Sequence, residues 1–323
     1  MIDLKRIETF NELVAINHKF LNFFKDYGLI KHTSEKISSG IDPTVRFIGS
    51  HTTVLKQYIE NDSLPVEGFC IIQGCLKTKN LSIFNNDHHH IYFGSYFPCQ
   101  GILAHYSKLD KVVSYTLSYI YKILNIPYEN IEIWANSNDK DLLESIKNLA
   151  KLQLDHLPPE KYIHKFGMDN ISGRNINIAI KNTKTGIQQY FAVIIVIEKL
   201  FEPMYVEVAI SPTIILNQIY SLKHILDCYP IPKFSLEESI LSRKLEDCIM
   251  TITILYREGL FPSNHHNRNR ILKRYLVAFD YIRKKLDISD IMLSTILSEY
   301  EKAYFGENSE VANQIIKYLA SSI

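Results

Sequence analysis

The sequence predicts an α+β fold: a mostly antiparallel sheet with flanking helices over residues 1–234, followed by an all-helical domain over residues 235–323. Three observations predict it. Three β-branched-rich runs, "NINIAIKN", "QYFAVIIVIEK" and "MYVEVAI", follow one another with only short polar connections, as sequential antiparallel strands do. Apolar residues at helical spacing fill the segments before and after them. Strand patterns then disappear beyond "YPIPKFS" (Tyr229–Ser235), where two prolines mark a boundary. A chain of 323 residues fits two domains of ordinary size.

The elements follow in order. "FNELVAINHKFLNFFKDYGLI" sets Leu13, Phe20, Phe23 and Phe24 at helical spacing and stops at Gly28. "SSGIDPTVRFIGSHTTVLKQYI" reads as a turn, a strand and a short helix, broken at Asp42-Pro43. "GFCIIQGCLKT" and "HHIYFGSYFPC" read as a hairpin joined across Lys79 to Asp87. "KLDKVVSYTLSYIYKILNI" is helical, "ENIEIWA" is a strand, and "NDKDLLESIKNLAKLQL" is a helix capped by Asn138 or Asp139. Pro158-Pro159 precedes the three strands, and "PTIILNQIYSLKHIL" is a helix entered through a proline.

Composition bounds the function. Hydrophobic content of 46% and charged content of 22% describe an ordinary globular protein. A net charge of +1 means that any nucleic-acid surface is a local patch. Five cysteines without a CxxC pair read as free thiols in a reducing compartment. The N-terminus has no signal-peptide pattern. The longest apolar run, "YFAVIIVI", is too short to span a bilayer. The expectation is a cytoplasmic protein without a membrane partner.

Two motifs stand out. "GLFPSNHHNRNRILKRY" puts Arg268, Arg270, Lys273 and Arg274 within seven residues, behind a loop that carries Asn264. Cations on a stiff helix suit phosphates, and Arg270 and Arg274 share a face at i, i+4. Asn264 offers a donor and an acceptor to a base edge, or else caps the helix after Pro262-Ser263. "DHHH" (Asp87–His90) lets His88 and His90 chelate from one face of a strand while His89 points away. No second ligand cluster supports it, so no metal is expected.

These stretches, taken in order, resemble alanyl-tRNA synthetase, a class II aminoacyl-tRNA synthetase, over almost the whole chain. The opening helix "KFLNFFKDYG", then "SSGIDPTVRFIGS" and "IQGCLKTKNLSIFNNDHHHIYFGSYF", match the family's first motifs. "FGMDNISGRNINIAI" and "YVEVAISPTIILNQI" match later ones, and "REGLFPSNHHNRNRILKRYL" resembles the Pro-Ser-Asn segment with its basic helix. The resemblance implies a class II synthetase-like sheet and a helical domain that docks on the tRNA acceptor stem. It makes Asn264 the reader of a G·U wobble pair, and Arg268, Lys273 and Arg274 the phosphate or groove contacts.

The resemblance also implies a changed activation site. The family's phosphate-binding Arg of motif 2 corresponds to Lys77, a point charge without a bidentate fork. The motif 3 Arg corresponds to Ile214, the Glu beside it to Thr213, and two glycines to Ala209 and Ser211. The Asp that holds the substrate amino group corresponds to Glu207. Lys77 and Glu207 are the catalytic candidates, and Lys79, His88 and His89 join Lys77 as nucleotide-pocket candidates. The expected function is a short stand-alone paralogue that binds tRNA, alanine tRNA or its aminoacylated form, and presents or transfers the aminoacyl group. A small amino acid or aminoacyl group is the expected pocket ligand, with ATP and magnesium only if activation is retained. The alternatives are an active ligase that adenylates a small amino acid, and a regulatory pseudoenzyme.

Overall fold

The computed structural model describes residues 2–147, 149, 151–155, 162–233 and 239–322. Pro158-Pro159 and the end of the expected boundary segment, Phe234 and Ser235, lie outside the described residues. The fold is α+β. Helix α1 (Leu4–Asp26) leads into the short strand β1 (Ile30–Lys31). Then come α2 (His51–Glu60), β2 (Phe69–Leu76), β3 (Tyr96–His105), α3 (Leu109–Ser118), β4 (Ile131–Asn136), α4 (Lys140–Ile146) and β5 (Lys151–Asp155). Strands β6 (Ile163–Lys165), β7 (Ile171–Lys181), β8 (Gln188–Lys199) and β9 (Glu202–Ile210) follow, and then α5 (Pro212–Tyr220). The chain ends in α6 (Ile240–Arg257), α7 (Asn267–Lys285), α8 (Asp290–Phe305) and α9 (Val311–Ser322).

The sheet runs β1-β2-β3-β9-β8-β7-β4-β5, with β6 also paired to β7. Every pair is antiparallel except β1/β2 and β4/β5. Side chains alternate between its faces, as the strand period requires. Ile102, Ala104, Ala192, Ile194, Val196, Val206 and Val208 point to one side, where Phe20 and Phe24 of α1, Val112 and Val113 of α3 and Ile215 of α5 cover them. Leu103, Ile195, Ile197 and Tyr205 point to the other side, which α2 covers in part through Val54 and Leu55. The candidate site sits on this second side.

The helical half shares a core with the N-terminal segment. Leu13, Ile16, Ile37, Leu76, Phe84 and Ile91 pack in one cluster with residues of α6, α7, α8 and α9. Described residues on both sides of positions 234–238 thus share one core cluster. Every residue of α6 from Ser242 to Tyr256 is buried. Its charged side chains are paired accordingly. Arg6 donates to Asp227 at 2.6 Å, to Glu246 at 2.7 Å and to the Ile231 carbonyl at 2.7 Å. Arg243 donates to Asp227 at 2.7 Å and to Glu246 at 2.8 Å. Asp247 accepts from the Ser95 amide and hydroxyl, each at 2.6 Å, and from Asn80 at 2.9 Å.

Four segments differ from the sequence expectation. Residues 44–50 are not a strand. Their neighbourhood is held by side chains: Asp42 accepts the Thr44 amide at 2.9 Å, and Glu258 accepts the Ile37 and Ser38 amides at 2.6 and 2.8 Å. The second hairpin strand begins at Tyr96, so His88, His89 and His90 lie in an exposed loop and share no strand face. The helix after Asp139 ends at Ile146, and "KLQLD" becomes β5, because β4 offers it a parallel edge. Helix α5 stops at Tyr220, where Ser221 turns left-handed at φ 50°.

Two predictions follow from this packing. Arg6→Met strands Asp227 and Glu246 against Arg243 alone, and lowers unfolding free energy by about 3–5 kcal/mol in urea titration. His224 caps the 225–228 turn: its Nδ1 accepts from the Leu226 amide at 3.2 Å, and Nε2 donates to the Ile91 carbonyl at 2.8 Å. Burial is the main reason that its folded pKa lies below the ordinary 6.5. The unfolded chain therefore binds the proton more readily, so this contribution is full above pH 6.5 and is lost on acidification. The stability gap between wild type and His224→Asn shrinks as pH falls below 6.5, measured by denaturation at several pH values.

Candidate functional site

On the half-covered face of the sheet lies a cavity of about 300 Å³, at the small end of the range for ligand pockets. Register places its floor. Gly101, Ala209, Val193 and Asn177 form one cross-strand row through β3, β9, β8 and β7. Leu103, Glu207 and Ile195 form the next. Ala209, Val193 and Asn177 of the first row line the cavity. Gly49, Ser50 and Thr52 close one side from the start of α2, and Ile214 and Ser211 close another.

Lys77, at the end of β2, stands over the Phe97 ring with its ammonium 5.3 Å from the centroid. It is the one lysine or arginine among the described lining residues. Ile214 lines the cavity at the place where the resemblance put an arginine. The rest of the lining mixes apolar side chains with Ser50, Thr52, His164, Asn177 and Ser211, and Glu207 is the one carboxylate among the described lining residues. Glu207 Oε1 accepts the Thr52 hydroxyl and lies 3.3 Å from His51 Nε2. Glu207 Oε2 is buried without a hydrogen-bond partner.

His51 continues the chain of contacts to Cys99, with Nδ1 3.5 Å from the thiol sulfur. Cys75, on the neighbouring strand, reaches the same sulfur. The hydrogen bond from Cys75 is the main reason that the Cys99 thiol sits well below its ordinary range, and the charge of His51 adds to it against burial. Burial pushes Cys75 the other way, which keeps it a proton donor. For His51, burial favours the neutral ring, but Cys99 and Glu207 outweigh it and raise its pKa. The ring lies flat on Gly101: a β-carbon there would stand 2.2 Å from His51 Cγ. Among the described residues, no three His, Cys, Asp or Glu side chains are placed to hold a metal ion.

The sequence candidates divide. Lys77 and Glu207 both line the cavity. Lys79 sits on an exposed turn, and His88 and His89 lie in the exposed loop beyond it; none of the three is among the lining residues. His51 and Cys99 escaped sequence reading, because no local spacing links residues 48 positions apart. The available signal was a histidine opening a helix, together with glycine two residues after a cysteine on a strand.

The basic helix is α7, whose first turn carries Arg268 and Arg270 and no acidic residue. Arg268 is not presented outward. Its guanidinium donates to the Ser39 carbonyl at 2.9 Å and to the Arg46 carbonyl, so it clamps α7 to the loop that runs into Ser50 at the cavity. Arg270 and Arg274 are exposed and Lys273 is half-buried. Arg270 donates to Asn267. Lys273 donates to Asn264 Oδ1 at 3.2 Å. The cap position of α7 belongs to His266, not to Asn264, which leaves the exposed Asn264 amide nitrogen as a donor toward solvent.

No family model matches the chain, and no curated protein matches it. Among solved structures it is similar to S. aureus apo histidyl-tRNA synthetase, with 10% identity, TM-score 0.44, and coverage of 84% of this chain and 85% of that one. It is similar to the pyrrolysyl-tRNA synthetase PylSc of Desulfitobacterium hafniense, with 8% identity, TM-score 0.41, and coverage of 71% and 74%. It is also similar to the RNA-binding domain of threonyl-tRNA synthetase from Cryptosporidium parvum, with 9% identity, TM-score 0.40, and coverage of 64% and 62%. These likenesses do not single out the alanyl family. No helix among the described residues is long and apolar enough to cross a membrane.

Gly101→Ala forces the buried His51 ring off the strand. Its expected cost is about 1–3 kcal/mol of stability, read from urea denaturation.

Proposed function

We propose that this protein binds the end of a folded RNA, a tRNA acceptor stem, on the N-terminal face of α7, and receives the attached aminoacyl group in the sheet cavity. In this reading residues 1–234 hold the acyl group and residues 235–323 hold the RNA. The observation that carries it is the Arg268 clamp, which joins the exposed cationic face to the loop that ends at the cavity wall. A ligand can thus lie across both.

Electrostatics support the same occupant. Cations in the first turn of α7 oppose the positive end of its dipole, an arrangement that a phosphate relieves. Asn264 turns a donor outward, which suits the acceptors on a base edge in the shallow RNA minor groove. In the cavity, the unpartnered Glu207 oxygen suits the ammonium of an aminoacyl group. With one lysine and no arginine in the described lining, the cavity favours use of an aminoacyl group already activated elsewhere. Alanine is the amino acid that the sequence resemblance suggests.

A ligase that adenylates a small amino acid is the second reading, favoured by Lys77 at the cavity. Amino-acid-dependent exchange of pyrophosphate into ATP, abolished in Lys77→Ala, supports that reading in place of the first. The first expects no exchange with any amino acid.

Filter binding with alanine tRNA tests the RNA surface. Arg274→Ala weakens binding to all tRNAs and lowers the slope of log affinity against log salt by about 1. Asn264→Ala instead reduces discrimination between G·U and G·C at the wobble position. Unchanged binding in both variants rejects the surface.

A further inference from the structure

Beneath the cavity runs one line of polar groups in which only Glu207 has been given a role. It runs Cys99, His51, Glu207, with Thr52 holding the last. Cys99 lines the cavity. The remaining members are deeply buried: His51 has no exposure and Glu207 has 3%. Two of their polar atoms, His51 Nε2 and Glu207 Oε2, have no hydrogen-bond partner. A core that buries a histidine and a carboxylate without satisfying both sacrifices stability, since each unsatisfied polar atom costs about 1–3 kcal/mol. Such a cost points to chemistry.

We propose that Cys99 is an acyl-accepting nucleophile, with His51 as its proton partner and Glu207 as the group that orients His51. The occupant is the aminoacyl ester of the preceding section, so the inference rests on that reading for its substrate and on the cavity for its geometry. Nucleophile, base and orienting carboxylate stand in the order that covalent catalysis requires.

The step balances without a redox partner. The Cys99 sulfur, as thiolate, adds to the ester carbonyl carbon. The tetrahedral intermediate then expels the sugar hydroxyl oxygen, so a C–S bond forms and the ester C–O bond breaks. The departing oxygen takes the proton carried by His51 Nδ1, which leaves a neutral ring and a thioester on Cys99. The first turn of α2 borders the same cavity through Ser50 and Thr52, and its amides form the positive end that faces the developing oxyanion. An amine nucleophile that attacks the thioester returns the thiolate and completes a transfer.

The geometry also assigns Cys75. It lies diagonally across the β2/β3 ladder, where Gln73 pairs with Cys99 and Cys75 pairs with Phe97. Its thiol donates to the Gln73 carbonyl at 3.5 Å, and its interaction with the Cys99 sulfur favours the thiolate there. Cys75 is a positioning residue.

The test has two arms on the full chain. Iodoacetamide at pH 6, followed by peptide mass spectrometry, modifies Cys99 at least about tenfold faster than Cys70, a thiol pushed up to about 11 by burial. Cys75→Ala moves the pH midpoint of Cys99 alkylation upward, a shift that a purely packing role for Cys75 does not produce. The second arm uses 2′(3′)-O-alanyl-, glycyl- and seryl-adenosine as acyl donors and reads intact mass. One acyl group is expected on Cys99, released by hydroxylamine, lost in Cys99→Ala and kept in Cys228→Ala. Alkylation of Cys99 without acylation by any of the three donors overturns the proposal, as does acylation at another cysteine or an inert Cys99. Filter binding of tRNA to the same wild-type sample reports the RNA surface separately, so failure of one reading is not mistaken for failure of the other.

Discussion

A helix with almost no solvent face sets the architecture. Helix α6 is buried from Ser242 to Tyr256 although it carries Arg243, Lys244, Glu246 and Asp247. Charges in a core are tolerable only when they are paired and hydrogen-bonded. Here each charged group has a partner from another part of the chain: Arg6 from α1, Asp227 from the turn after α5, Ser95 and Asn80 from the β2–β3 connection, and the Ile83 carbonyl for Lys244 at 2.7 Å. Apolar packing alone would let α6 slide or rotate by small amounts. Directional pairs at both ends of its polar segment fix its register against α1 and the sheet edge.

That register places the basic face. Helix α7 packs on α6 through Leu272, Tyr275, Leu276 and Phe279, and the Tyr275 hydroxyl donates to Ser95, the residue that also binds Asp247. The Arg268 clamp then anchors the N-terminal turn of α7 to residues 39 and 46. Glu258, at the end of α6, holds the same loop by the Ile37 and Ser38 amides. Two helices therefore pin a segment that also takes a backbone hydrogen bond from Leu76, the last residue of β2, at the Ile48 carbonyl, 2.8 Å, and that segment delivers Gly49 and Ser50 to the cavity. Surface and cavity are linked through side chains on backbone carbonyls and amides as well as through this contact with the sheet.

This explains what the sequence disclosed. Strands β7, β8 and β9 were legible because their β-branched runs match the period of a packed sheet, and α6–α9 because their apolar spacing is helical. Residues 44–50 read as a strand because Val45, Phe47 and Ile48 are apolar, but Ile48 bonds to Ile37 and Leu76 at single backbone contacts and Arg268 takes the Arg46 carbonyl, in place of a strand ladder. "KLQLD" alternates apolar and polar residues, a pattern outweighed in sequence reading by the helical segment before it. Lys77 and Glu207 were legible as cavity residues through ordered motifs. Arg268 belonged by type with its neighbours, and only tertiary contact separates a cation that clamps backbone from cations that face solvent. His51 and Cys99 carry no local signature, since their meeting depends on Gly101 leaving room on the strand for a ring.

In the proposed reading the groups under the cavity decide which ligand it takes. Burial opposes a charge on His51, but Cys99 and Glu207 raise its pKa, while the Cys75 hydrogen bond and His51 lower that of Cys99. Lys77 at the strand end is the one ammonium among the described lining residues that could meet an anionic phosphate chain. In that reading the ammonium of an aminoacyl ester is drawn to the unpartnered Glu207 oxygen, and its carbonyl lies beside Cys99. Glu207 Oε1, 3.3 Å from His51 Nε2, would serve the ring that stands against Cys99 at the same time. Recognition of the ammonium and preparation of the thiol would then meet in a single glutamate on β9.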